Sequence, residues 1–215
     1  MSCATTRPLP AWCQAQQLTR LDVSGYDRWD EDERCEQNRG VLAGKTQLQH
    51  RNLEISYGGA QLLSDLADLH QLTHLELRYS FDVEHDGNPP PAAAFAALTA
   101  SSKLQYLHVR YCTLPTGVWQ HVFPAGRQLP HLRELCLSGI RDPSIGPPYN
   151  QAPAPHGSLL VNFCPGLHVL RMDCLLYSAA LLVPLQGLTQ LQAVTLYGCM
   201  TAMLLRMRQW RRCVN

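Results

Sequence analysis

The chain has 215 residues, 46% hydrophobic and 16% charged, which is enough apolar text to bury a core without staples and excludes a disordered segment. Against 18 Lys+Arg stand 17 Asp+Glu, a formal net charge of +1, so no global excess of positive charge drives binding to nucleic acid or a membrane. Residues 1–12 carry Arg7, Pro8 and Pro10 and lack the apolar run of a secretory signal. The longest apolar stretch, residues 175–185, is broken by Ser178 and Pro184 and is shorter than the roughly 20 residues of a membrane span. A cytoplasmic protein is the expectation, with its nine scattered cysteines reduced and packed as small apolar groups.

One six-residue frame, L-x-x-L-x-L with aliphatic substitutions, runs along the chain. Leu18, Leu21 and Val23 form the first copy, and His50, Leu53 and Ile55 the second. Leu72, Leu75 and Leu77 form the third; Leu104, Leu107 and Val109 the fourth; Leu132, Leu135 and Leu137 the fifth. Leu167, Leu170 and Met172, then Leu191, Val194 and Leu196, complete seven. The last two residues of each triplet are two apart, so they point to one side of a short strand, and the residue between them points to the other. A single copy leaves its apolar side bare, whereas stacked copies bury a continuous core under a parallel sheet.

The connecting text differs from gap to gap. Residues 30–36 are an acidic run, read as a solvated loop or as a docking site for a basic partner. Residues 61–69 place Leu62, Leu66 and Leu69 on one helix face, and residues 91–100 are Ala-rich behind Pro91, which suits a helix start. Residues 158–163 and 179–185 are shorter helical segments. Residues 82–90 and the proline-rich 142–157 read as insertion loops. The tail carries Arg206, Arg208, Arg211 and Arg212 around Leu204, Leu205 and Trp210, which predicts a basic cap helix over 200–215.

Two copies end in cysteine, LQYLHVRYC at 104–112 and LQAVTLYGC at 191–199, and a third opens with Cys164 and Pro165. On these residues and the frame, the chain resembles a leucine-rich repeat protein over essentially its full length. The cysteines are similar to those of the subclass found in F-box/leucine-rich-repeat adaptors. The resemblance implies one α/β domain over 1–215: a right-handed solenoid, or horseshoe, of about seven repeats spanning 17–199, with a parallel sheet on its concave side. In that family the cysteine is buried at the end of the strand.

The frame also names the outward-facing residues. A central ladder of Asp22, Glu54 and Glu76 gives way to His108 and Arg171, with Arg78 next to Arg110 and with Tyr57, Tyr79 and Tyr111 one position further on. Tyr and Arg are enriched at binding hot spots. The expected partner-binding surface therefore comprises Asp22, Glu54, Glu76, Arg78, Tyr79, Tyr106, His108, Arg110 and Tyr111, the alternative being that Glu76 simply pairs with Arg110 or Arg78.

Chemistry has little text to stand on. No phosphate-binding glycine loop, dinucleotide fingerprint or nucleophile elbow occurs. His70 and His74 are four apart, but Gln71 stands where a metalloprotease needs glutamate. Cys136, expected beside His108 on the sheet, has no orienting third group. The expectation is a non-enzyme with no cofactor and no metal, binding an unidentified protein partner and neither nucleic acid nor a membrane. Implied settings are a ubiquitin ligase adaptor of the F-box type, or a scaffold on the cytoskeleton or cilium.

Overall fold

The computed structural model describes residues 18–24, 42, 44–54, 59–78, 81, 90–142, 155–173, 183–197 and 202–206. Seven five-residue strands lie side by side in chain order, each parallel to the last: β1 (Arg20–Ser24), β2 (His50–Glu54), β3 (His74–Arg78), β4 (Tyr106–Arg110), β5 (Glu134–Ser138), β6 (Val169–Asp173) and β7 (Ala193–Tyr197). Parallel neighbours need crossover connections, and from β2 onward the described ones carry short helices. They are α1 (Gly59–Ala67), a 3-10 helix (Ala92–Thr99), α2 (Trp119–Val122), α3 (Gly157–Phe163) and a second 3-10 helix (Val183–Gly187). The result is an α/β chain with one open sheet, compatible with a solenoid-like arrangement.

The same backbone bonds recur at each strand entry. The amides of Leu48, Leu72, Leu104, Leu132, Leu167 and Leu191 each donate to the carbonyl three residues earlier, at 3.0–3.4 Å. The carbonyls of Thr19, Gln49, Thr73, Gln105, Arg133 and His168 each accept two successive amides from the next strand. A tight turn followed by a shared acceptor fixes register before the ladder begins, and register decides which face every later side chain takes.

Three rows of side chains form the core beneath the sheet. Leu72, Leu104, Leu132, Leu167 and Leu191 make one, Leu75, Leu107, Leu135, Leu170 and Val194 the next, and Leu77, Val109, Leu137, Met172 and Leu196 the third, all buried. Each fully buried leucine contributes roughly 1.5–3 kcal/mol. Leu62, Leu63 and Leu66 of α1, Phe95 and Leu98 of the first 3-10 helix, Val122 and Leu160 close the core from the other side. Phe81 meets Phe95 edge-on with ring centroids 4.9 Å apart. A further buried position lies three residues before each first leucine, filled by Leu69, Leu129 and Leu188 but by Lys45, Ser101 and Cys164 in other copies. Its mixed chemistry hides it from a hydrophobic pattern. Ser101 fits because its hydroxyl lies 2.9 Å from the His70 carbonyl and 2.7 Å from that of Leu72, both of which can only accept.

Three sequence expectations change. The second copy slides by two residues: β2 pairs Arg51 with Leu75 and Leu53 with Leu77, so its triplet is Leu48, Arg51 and Leu53 rather than His50, Leu53 and Ile55. An arginine thus occupies the middle core position, and a search for aliphatic triplets skips it. Residues 92–99 wind as a 3-10 helix rather than an α-helix. The tail does not begin as a helix: β8 (Ala202–Arg206) runs antiparallel to β7, pairing Thr195 with Leu204. An open sheet leaves a row of unpaired backbone groups on its last strand, and a returning strand satisfies them where a helix would not. The acidic run 30–36, the loop residues 82–89 and 143–154, Tyr57, Tyr79, Cys174, Cys199 and the tail beyond 206 lie outside the described residues.

Candidate functional site: the polar face of the sheet

Alternation along five-residue strands gives the face opposite the core three rows. The first runs Arg20, His50, His74, Tyr106 and Glu134; the second Asp22, Asn52, Glu76, His108, Cys136 and Arg171; the third Ser24, Glu54, Arg78, Arg110 and Ser138. The central ladder therefore reads Asp22–Asn52–Glu76, and not Asp22–Glu54–Glu76. Glu54 sits one row over, in register with Ser24 and Arg78, because β2 slid by two. Arg78 and Arg110 are neighbours in register, as the frame requires.

The ionic groups on this face neutralise one another locally. Arg20 donates to Asp22 at 2.8 Å, both exposed. Arg78 grips Glu76 through Nε at 2.8 Å and Nη2 at 2.7 Å. Glu134 takes Arg171 on one oxygen and holds the same oxygen 3.1 Å from His108 Nε2. Glu76 thus pairs with the arginine two residues along its own strand, one of the two partners the sequence offered.

Three aromatic rings line the first row. His50 and His74 have centroids 4.7 Å apart, and His74 and Tyr106 stack at 4.1 Å with planes 15° apart. The spacing is that of adjacent strands, which brings equivalent side chains into contact. The Thr73 hydroxyl donates to the Gln49 carbonyl at 2.9 Å, so it accepts from His74 Nδ1, also at 2.9 Å. The neutral His74 ring therefore carries its proton on Nδ1. Burial, then the nearby His50, His108 and Arg20, push the His74 pKa below its ordinary value. Burial also lowers His108, opposed by Glu134 and Glu76 and aided by Arg110 and Arg171. The sequence frame had put His50 in the core and so missed this stack.

Tyr111 follows β4 in the left-handed region, φ 54°, and stays 50% exposed. Gly139, the residue in the same place after β5, has φ 63°, and a Cβ there would lie 2.4 Å from the Tyr111 ring. The tyrosine ring comes so close that only a glycine fits at this position.

Cys136 falls between His108 and Arg171 in register, but it is 2% exposed. Its two longer neighbours in register both reach Glu134. Cys112 and Cys164 are buried as well. The Cys112 sulfur lies 3.2 Å from the Arg110 carbonyl, and burial pushes the Cys164 thiol up to about 12. Among the described residues no group of three or more His, Cys, Asp or Glu side chains could hold a metal ion, and no helix is long and apolar enough to cross a membrane. On the opposite side, residues 125–128 and α3 border a groove of about 470 Å³. Arg127 there donates to the Ala100 carbonyl at 2.7 Å.

No family model, curated protein or solved structure matches this chain.

The sheet face thus offers charge pairs, a ring stack and one exposed tyrosine, with its thiol buried. Of the nine residues the sequence named, Asp22, Glu76, Arg78, Tyr106, His108 and Arg110 fall on the three rows, and Tyr111 lies at their edge. Glu54 is displaced by one row, and Tyr79 is outside the described residues.

Proposed function

We propose that the chain is a leucine-rich-repeat solenoid, a right-handed horseshoe, that recognises a protein partner without catalysis. Its binding surface is the polar sheet face with the loops at the strand ends. The observation that carries this reading is the juxtaposition of Arg78 and Arg110 on adjacent strands beside Tyr106 and the exposed Tyr111. Arginine and tyrosine supply large, rigid contact area together with hydrogen bonds, the combination that anchors protein interfaces. Charge pairs already formed on the face lower the cost of desolvating it against a partner.

A narrower reading is favoured by Cys112, which is fully buried just after β4, where the cysteine-containing subclass keeps its cysteine. It makes this face the substrate-recognition part of an F-box-type ubiquitin ligase adaptor in the cytoplasm. A scaffold on the cytoskeleton or axoneme is the alternative setting. Affinity capture with tagged protein separates the two by whether ligase subunits or cytoskeletal proteins are retained.

The test of the surface is the charge reversal R78E/R110E. It places two new carboxylates beside Glu76 and is expected to abolish capture of whatever the unaltered protein retains, with the circular dichroism spectrum unchanged. Undiminished capture moves the site away from this face.

A further inference from the structure

The histidines on this face form a cluster whose geometry goes beyond a static docking surface. His50, His74 and His108 occupy three consecutive strands, the first two in ring contact. Each sits near groups that register its charge. His50 Nε2 lies 3.8 Å from Asp22 Oδ1 of β1 and faces His74 of β3. His74 feels His50 of β2, His108 of β4 and Arg20 of β1, and stacks on Tyr106. His108 feels Glu76 of β3, Glu134 of β5 and Arg171 of β6, besides Arg110 of its own strand. The carboxylates beside His50 and His108 are already engaged, Asp22 by Arg20 and Glu134 by Arg171. Protons arriving on these rings therefore add charge rather than fill vacant ion pairs.

We propose that His50, His74 and His108 are a proton-operated gate on this face: neutral rings leave it near charge balance, and acidification turns it cationic, so that it takes up an acidic peptide segment of a partner. This rests on the recognition reading above and specifies the partner's chemistry and the condition for binding. Among the described side chains of this face, Arg20, Arg78, Arg110 and Arg171 stand against Asp22, Glu76 and Glu134. Up to three imidazolium charges move that near-balance firmly to the positive side. His50 opposes protonation of His74, so the gate opens in steps as pH falls. An acidic ligand lying across both favours the doubly protonated state and is bound more tightly in proportion.

The probe is a short aspartate-rich peptide, whose carboxylates stay ionised through most of the histidine range. Its binding is measured calorimetrically at about pH 7.5 and about pH 5. The unaltered protein is expected to bind it roughly tenfold or more tightly at the lower pH, about 1.4 kcal/mol. In H50Q/H74Q/H108Q that gain is lost, while the protein stays folded by circular dichroism. His74→Gln alone, at the centre of the cluster, removes part of it. A flat pH response, or an equal gain in the triple variant, overturns the proposal. If R78E/R110E has abolished partner capture, either result leaves the recognition surface standing and removes only the gate. Peptide binding with the full pH gain in R78E/R110E places the acidic ligand away from this face and overturns the proposal as well.

Discussion

At the scale of single residues, Arg51 is the outlier. It stands where neighbouring strands carry leucine, is 1% exposed, and has no hydrogen-bond partner for Nε or Nη1. Burial drives its pKa well below the ordinary value, and Asp65 of α1 opposes that. A buried cation with so little compensation costs more than an aliphatic chain of similar length. Arg51→Leu is therefore expected to raise stability by about 1–3 kcal/mol, or about 2–4 °C in Tm per kcal/mol for a chain of this size. Thermal denaturation followed by circular dichroism reads it, and a lower Tm would mean the guanidinium has a structural role. His74 and His108 also bear on stability. Both titrate below 6.5 in the folded chain, so as pH falls the unfolded chain binds their protons first. The stability they confer is whole above about 6.5 and is lost as pH drops through their folded values. Tm should fall between about pH 7.5 and pH 5, and less steeply in H74Q/H108Q.

At the scale of elements, the strand-to-turn transitions carry the specificity. Tyr111 and Gly139 follow β4 and β5 at the same position, both left-handed, with the Tyr111 amide bonded to the Ser138 carbonyl at 2.8 Å. Gly139→Ala meets two penalties at once, a disfavoured φ and a Cβ 2.4 Å from the tyrosine ring. A loss of about 1–3 kcal/mol is expected in urea denaturation. Combining it with Tyr111→Gly should recover the steric part, so the two changes are non-additive; strict additivity would mean the ring moves aside unaided. The strands themselves were legible from period-two leucines. α1 was legible from apolar residues recurring on one face, and α3 as the short helical segment read over 158–163. The turn α2 went unread, since four residues are too few to show a period.

At the scale of the whole molecule, an open parallel sheet has two edges, and β8 occupies the one at β7. A chain ending at Gly198 lacks that strand and leaves the β7 backbone unpaired. It is expected to self-associate in a concentration-dependent way, seen by size-exclusion chromatography with light scattering, where the full chain does not. A monomeric truncated chain would mean that the edge needs no cover. The same open arrangement makes each strand depend chiefly on its neighbours, and this is why an arginine in the core of β2 is tolerated between two leucine-bearing strands.

Sequence alone determined the sequential parallel strands and the five core triplets from Leu72 to Leu196, because a two-residue alternation anchored by leucine has one low-energy solution. It also placed Arg78 next to Arg110, since identical frames put equivalent residues side by side. Tertiary structure decided the rest. The register of β2 followed from backbone bonds to Thr19 and from the burial of Leu48, and it moved Glu54 and His50 to new rows. The burial of Cys136 and the stacking of His50, His74 and Tyr106 arose between strands far apart in the chain, where packing and desolvation, invisible to any local pattern, choose the arrangement.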